Sequence, residues 1–444
     1  MSEVTAVDAD STATRSPNLP SVVPIPKPIL GIGFSVSRRW TMRQAARRYG
    51  RVLTLNVPVY GNIVVVADPA LVRRVFTASA DDLVNIQPNL SRIFGRGSIF
   101  ALDGAEHRKR RKFLTPPFHG QSIKNYEKII EEETLRETSG WPEGSEFRSL
   151  EPMNRITLNV ILRAVFGADG AELDELRRLM PGWVKLGSRL ATLPQPPFKV
   201  GRRSPWGRLA EYHRQFDAIV DTLVEKAESD PRFDERTDIL ALMLHSRYED
   251  GSAISRHDMA DELITLLGAG HETTASTLGW AFERLSRHPE ILARLAEEAD
   301  TEDSELRQAT ILEVQRARTV IDLAGRRVAA PTFELGQWRI PRGHSIVVSI
   351  TQLHGDPDLF PEPKRFDPYR FVGAKPPTFA WVPFGGGTRR CIGAAFANTE
   401  IDVVLRTVLR HFTIEPTAAP DEKVHSRGVA YTPKQGGRIV VHRR

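Results

Sequence analysis

The sequence predicts a mainly α-helical protein with small β-sheets. Three observations carry that class. Apolar residues recur at helical spacing across most of the chain from about residue 67 to about residue 320. Near the start, "RVLTLNVPVYGNIVVVAD" places two β-branched runs on either side of "YGN", a hairpin signal. Strand-like runs return only late, in "FELGQWRIPRGHSIVVSI" and in the C-terminal "GGRIVVHR".

The chain has 444 residues, 61 basic and 55 acidic, for a net charge of +6. Length alone suggests about three domains, although no low-complexity linker divides the middle and no internal repeat occurs. The mild basic excess is that of a solvated surface; nucleic-acid binding is the rival class it leaves open. No run approaches the ~20 apolar residues of a membrane span, and the acidic, polar start does not read as a signal peptide. With one cysteine no internal disulfide forms, which fits a reducing cytoplasm.

Residues 1–28 read as a disordered tail, ending in the proline-rich "PNLPSVVPIPKP". The long stretch "SRHDMADELITLLGAGHETTASTLGWAFERLSRHP" reads as a helix. Ser255 and Asp258 form a capping-box-like start and His288-Pro289 the stop. Within it "GAGHETT" weakens helix propensity, and its threonine hydroxyls can bend the helix toward a local opening. An ordinary buried helix explains the pattern equally well. A zinc-protease reading fails, because Ala275 stands where a second histidine is needed.

The single cysteine lies in "FGGGTRRCIG", Phe384 to Gly393. Ile401, Val404, Leu405, Val408, Leu409 and Phe412 then mark the apolar face of a helix. Cys391 therefore sits just before a helix N-terminus, where the dipole together with Arg389 and Arg390 favours a thiolate. Gly385, Gly386 and Gly387 can take positive φ and let backbone approach a ligand. A phosphate loop would end in Gly-Lys-Ser/Thr, and a zinc site needs more ligands than one cysteine gives. A buried small hydrophobe, a nucleophile with a histidine base, and a thiolate ligand to haem stay open at this point.

Phe384, Gly387, Arg389, Cys391 and Gly393 reproduce the Phe-x-x-Gly-x-Arg-x-Cys-x-Gly signature, and the sequence resembles the cytochrome P450 family from about residue 30 onward. The resemblance implies a helix-rich domain with a small β-rich lobe over residues 29–444, in place of three domains. It implies haem b, with Cys391 as the iron ligand, Phe384 and Gly385 beside the sulfur, and Arg389 on a haem carboxylate. Ala269, Gly270, Glu272, Thr273 and Thr274 match the family's oxygen-activating segment. Thr273 is then expected to hydrogen-bond the oxygen and Glu272 to relay protons. Peroxide-using relatives usually lack that pair. His107 and Arg111, four apart in "GAEHRKRRKFL", and Arg327 match the other carboxylate-binding positions. The remaining basic residues of "RKRRK" are expected to face an acidic electron donor. Glu313 and Arg316 match a structural Glu-x-x-Arg, with Arg365 expected as the third member. The proline that usually follows this motif is missing.

The resemblance implies a monooxygenase resembling the soluble bacterial members, without a membrane anchor or nucleic-acid partner. It takes O2 and a small apolar or amphipathic substrate (lipid, steroid or aromatic). Electrons are expected from a separate ferredoxin-type donor with its reductase. A haem sensor without turnover and a peroxide-driven oxidase are the alternatives. The substrate-facing stretches are expected at "LVNIQPNLSRIFGRGSIF", "PGWVKLGSRLATLPQPPFKVG" and "RGVAYTPKQ".

Overall fold

In the computed structural model, a helical core surrounds one long central helix, Arg256–Leu285, and a five-stranded sheet flanks it. The structure describes residues 18–444 apart from 59, 87–89, 168–169, 192 and 194–200. Two of the expected substrate-facing stretches therefore fall partly outside the described residues.

Ser255 caps the central helix, its Oγ accepting from the Asp258 N–H at 3.1 Å. Asp258 does not return to the cap; it pairs with Arg110 instead. The helix runs unbroken through 268–274; of the two readings the sequence leaves open there, the structure takes the continuous helix. Its threonines bond back one turn, Thr273 to the Ala269 carbonyl at 2.8 Å and Thr274 to the Gly270 carbonyl at 3.0 Å, which keeps the hydroxyls satisfied without opening the backbone. The helix Leu150–Phe166 packs along it, and so do the helices Glu305–Ala317 and Ala394–His411.

The predicted hairpin forms as Val52–Val57 and Gly61–Val66. The sheet order is Val52–Val57, Gly61–Val66, Ser345–Ser349, Leu323–Val328, Leu83–Val84. Only the second and third strands are parallel. Both faces are covered. Val64, Val66, Ile346 and Val348 enter one small core, and Leu53, Leu55, Ile63 and Val65 enter another with Leu30, Met42 and Ala45 of the first helix, Lys27–Tyr49. Burial on both sides is why "NIVVV" reads as a continuous apolar run rather than an alternation.

The expected disordered tail needs correcting at its end. Residues 1–17 lie outside the described residues, but 18–28 are ordered. Val23 donates to the Thr54 carbonyl at 2.9 Å, Thr54 to the Ser21 carbonyl at 2.9 Å, and Lys27 opens a helix. An edge strand has unpaired backbone groups, and an extended proline-rich segment still offers carbonyls to them.

Candidate haem-thiolate site

The cysteine loop is a closed turn. The Cys391 N–H donates to the Phe384 carbonyl at 2.9 Å, and Val382 just before it donates to His354 Nε2 at 3.1 Å. Two of the three glycines take positive φ, Gly385 at 67° and Gly387 at 66°; Gly386 is extended at −161°. Gly386 packs against the Phe76 ring, and a Cβ on Gly387 would lie 1.8 Å from the Phe76 carbonyl oxygen, whereas one on Gly385 meets nothing. Gly387→Ala is therefore expected to prevent accumulation of folded, pigmented protein. Gly385→Ala, with only the ~1–2 kcal/mol left-handed penalty, keeps its pigment and melts a few degrees lower. Absorbance and a thermal melt check both.

Gly393 precedes the helix Ala394–His411, as the apolar spacing requires. The Cys391 thiol is solvent-accessible, yet burial pushes its pKa up. Both statements hold for a sulfur deep in the molecule that faces an interior opening. The expected thiolate is thus corrected for the protein alone: burial outweighs the Gly393 N–H, Arg390 and Arg111, which pull the other way. Arg111 replaces Arg389 among the cations acting on sulfur. A metal cation is what deprotonates such a thiol outright.

On the central helix every residue from Met259 to Ser286 is buried except Ala269, Gly270 and Thr273. These lie at i, i+1 and i+4, on one face. Glu272 points elsewhere. Its Oε2 accepts from Ser188 Oγ at 2.9 Å, and Oε1 lies 3.7 Å from Arg427 Nη1, whose side chain is 34% exposed. Burial raises the Glu272 pKa; Arg427 and Ser188 oppose this.

Cations gather between the cysteine loop and the helix Gly104–Leu114. Arg389 ion-pairs with Asp103 and donates to the Leu102 carbonyl at 2.5 Å, docking the loop onto the head of that helix. His107 is buried. Desolvation first, then Arg389, Arg111 and Arg326, push its pKa down to about 3, so in the protein alone it is a neutral hydrogen-bonding ring. Arg111 and Arg389 are also lowered, chiefly by burial.

Sequence reasoning missed Arg326. Its guanidinium stands over the Phe76 ring at 5.8 Å and donates to the Gly386 carbonyl at 3.5 Å. Burial and Arg389 bring its pKa down to about 10. Arg327 lies on the opposite face of the strand, with Leu323 and Gly325. It is exposed and carries no ion pair among the described residues. Asp103 is the acidic side chain that acts on both Arg326 and Arg389. Such a cluster is short of negative charge and suits an anion with two carboxylates. Together with one accessible sulfur and one accessible strip of helix, it fits haem b. The other basic residues of "RKRRK" are mostly spoken for: Lys109 pairs with Asp250, Lys112 with Glu249, and Arg110 with Asp258 and Glu262. Only the Arg110 pairs are buried enough to fix the helix; Lys109 and Lys112 remain at the surface in exposed pairs, beside the exposed Arg108.

Glu313 and Arg316 form a buried two-bond pair, each bond 2.7 Å. The third member is corrected. Arg370 Nε lies 3.2 Å from Glu313 Oε2, while the Arg365 side chain is 63% exposed and pairs with Glu362. Arg365 contributes only its carbonyl, to Arg316 at 3.2 Å.

Fold and site together define a haem-thiolate protein. The family model for cytochrome P450 matches residues 20–439, and the chain belongs to that family, whose members bind haem b and are generally monooxygenases. It is 64% identical, over all of both chains, to a Mycobacterium tuberculosis (strain H37Rv) protein provisionally named cytochrome P450 138. It is 36% identical to one provisionally named cytochrome P450 137 from the same strain, over 90% of this chain and 84% of that one. Among solved structures, the retinoic acid-bound cyanobacterial CYP120A1 superposes with a TM-score of 0.84 at 22% identity, covering 97% of this chain and 100% of that one. The heme domain of cytochrome P450DA gives 0.79 at 22% identity, covering 97% and 98%. The helix-rich fold with small sheets is the P450 fold. No helix among the described residues is long and apolar enough to cross a membrane.

Proposed function

We propose that the protein inserts one atom of O2 into a small apolar or amphipathic substrate, with Cys391 as the iron ligand and Glu272 and Thr273 delivering protons. Haem b held by a thiolate supplies the oxygen activation and O–O cleavage. The observation that carries the reading is the lone, deep, accessible sulfur beside a cation cluster, in a fold whose central helix, from Met259 to its end, leaves only Ala269, Gly270 and Thr273 less than buried.

In this reading Arg111, Arg327, Arg389 and the neutral His107 hold the two haem carboxylates. Arg326 and Asp103 position the loop and the Arg389 side chain. Phe384, Gly385 and Gly393 shape the turn that presents sulfur. The Thr273 hydroxyl faces the opening. Its proton is held by the Ala269 carbonyl, its lone pairs are free to accept, and the buried carboxyl of Glu272 stands one residue away. Arg427 pairs with that carboxyl and is itself partly exposed, so the carboxyl lies near solvent; in this reading Glu272 and water carry the protons, and Arg427, which keeps its own proton, positions Glu272. Trp183 and Phe94, packed at Gly268, give the region beyond the strip an apolar wall. Electrons come from a separate ferredoxin-type donor with its reductase. The acid–alcohol pair favours O2-driven turnover over a peroxide oxidase or a silent sensor.

Thr273→Ala is expected to leave NADPH consumption with surrogate partners largely intact while product per NADPH falls about tenfold or more. Peroxide-driven turnover persists. Glu272→Gln slows the O2-dependent rate by ~10²-fold. Unchanged coupling in both variants overturns the assigned roles. A ligand screen read by the Soret shift tests the substrate class; a response confined to strongly hydrophilic compounds overturns it.

A further inference from the structure

We infer that the first helix and its lead-in form a peripheral docking surface for an anionic phospholipid bilayer. Among the described residues eleven large hydrophobic side chains are exposed, and six of them fall between residues 22 and 40. They are Val22, Ile25, Ile29, Ile32, Val36 and Trp40, with Ile32 66% and Val36 81% exposed. Folding does not account for them. The inward face of the same helix, Leu30, Met42 and Ala45, already fills the core against the hairpin. Ile29, Ile32 and Val36 follow the 3–4 spacing of a single outward face. Exposed apolar residues scattered singly need no explanation, but a contiguous set marks an interaction surface.

Charge identifies the partner. From residue 11 to residue 67 the sequence contains no aspartate or glutamate, while the chain as a whole carries 55 acids in 444 residues. Arg38, Arg39 and Arg51 in this span are paired with distant acids. Lys27, Arg43, Arg47 and Arg48 are exposed and make no ion pair among the described residues. Polarity is segregated along the helix. A kink at Ser37 (φ −158°, ψ 88°) divides an isoleucine- and valine-rich first half from an arginine-rich second half, and Trp40 sits just past the junction.

An acidic protein would use the arginines and leave the isoleucines in water. A second copy would bring two acid-free surfaces together. A bilayer surface satisfies both halves: the isoleucines and Val36 enter the headgroup–acyl boundary, Trp40 lies at that depth, and the guanidinium groups meet lipid phosphates. The contact is peripheral, since no described helix spans a membrane. The inference does not depend on the catalytic assignments.

The test is flotation of the full-length, haem-loaded protein with vesicles of phosphatidylglycerol and phosphatidylcholine, against phosphatidylcholine alone. The protein is expected to float with the anionic vesicles and to be released by high salt. The double substitution Ile32→Asp, Val36→Asp lowers its partition by at least about tenfold, with the carbonyl Soret band and melting midpoint unchanged. Val424→Asp, at a residue 44% exposed elsewhere, leaves binding intact. Absence of flotation, equal flotation with neutral vesicles, or insensitivity to the double substitution overturns the inference.

Discussion

Cys391→Ser is expected to abolish the long-wavelength Soret band of the reduced carbonyl complex and to reduce O2-dependent turnover to background. The physical case rests on one atom. The loop is closed by the main-chain bond from Cys391 to Phe384, so the substitution leaves the turn intact. The surrounding cations, Arg111 and Arg390, also remain. What is lost is an ionisable sulfur. Burial already pushes the thiol pKa upward, and only a metal cation of high charge density reverses that. A serine hydroxyl is a far weaker acid and a harder, poorer donor to iron. Cys391→His provides the second arm: imidazole still ligates, so pigment is retained while the carbonyl band moves to the short-wavelength position of histidine-ligated haem. A carbonyl spectrum unchanged in either variant would place the iron on another residue and remove the basis of the proposed chemistry.

The parts legible in the sequence are those in which chemistry is local. The cysteine loop declares itself through Gly385, Gly387 and Cys391 within a few residues, and the helix after it through its apolar spacing. The central helix carries its cap at Ser255 and its stop at His288-Pro289. The hairpin was legible for the same reason. What was hidden depends on chain crossings. Ser188 and Arg427 reach Glu272 from a different helix and from the C-terminal loops, and no local pattern marks either. Arg326 and Arg327 are adjacent, and strand geometry sends them to opposite faces. Which of them meets the cysteine loop depends on the register with Ser345–Ser349, which the sequence does not state. His107 was legible as a position but not as a protonation state, because neutrality follows first from burial and then from the arginines that converge on it, and both are set by the fold. The acid-free span from residue 11 to 67 was readable all along, but without the fold nothing separates its outward isoleucines from core ones.

The choice between Arg365 and Arg370 shows the same limit and gives the second large effect. Both arginines lie within one short basic stretch, and spacing alone does not say which turns inward. The structure buries Glu313 and Arg316 almost completely and satisfies them through main-chain partners: Arg316 donates to the His354 and Pro363 carbonyls at 2.8 and 2.9 Å, and Glu313 accepts from the Asp367 N–H at 2.9 Å. These bonds pin the segment that leads into the cysteine loop. Removing one partner strands a buried charge and typically costs about 3–5 kcal/mol. Glu313→Ala and Arg316→Leu are each expected to lose about that much stability in denaturant titrations, and most of the haem with it. Arg370→Ala removes the half-buried second cation and is expected to fall between, at about 1–2 kcal/mol. Arg365→Ala removes only an exposed ion pair, worth less than about 1 kcal/mol, because its carbonyl still accepts from Arg316. A loss from Arg365→Ala as large as from Arg316→Leu would show that the exposed side chain carries the lock and that the buried pair has been assigned the wrong third member.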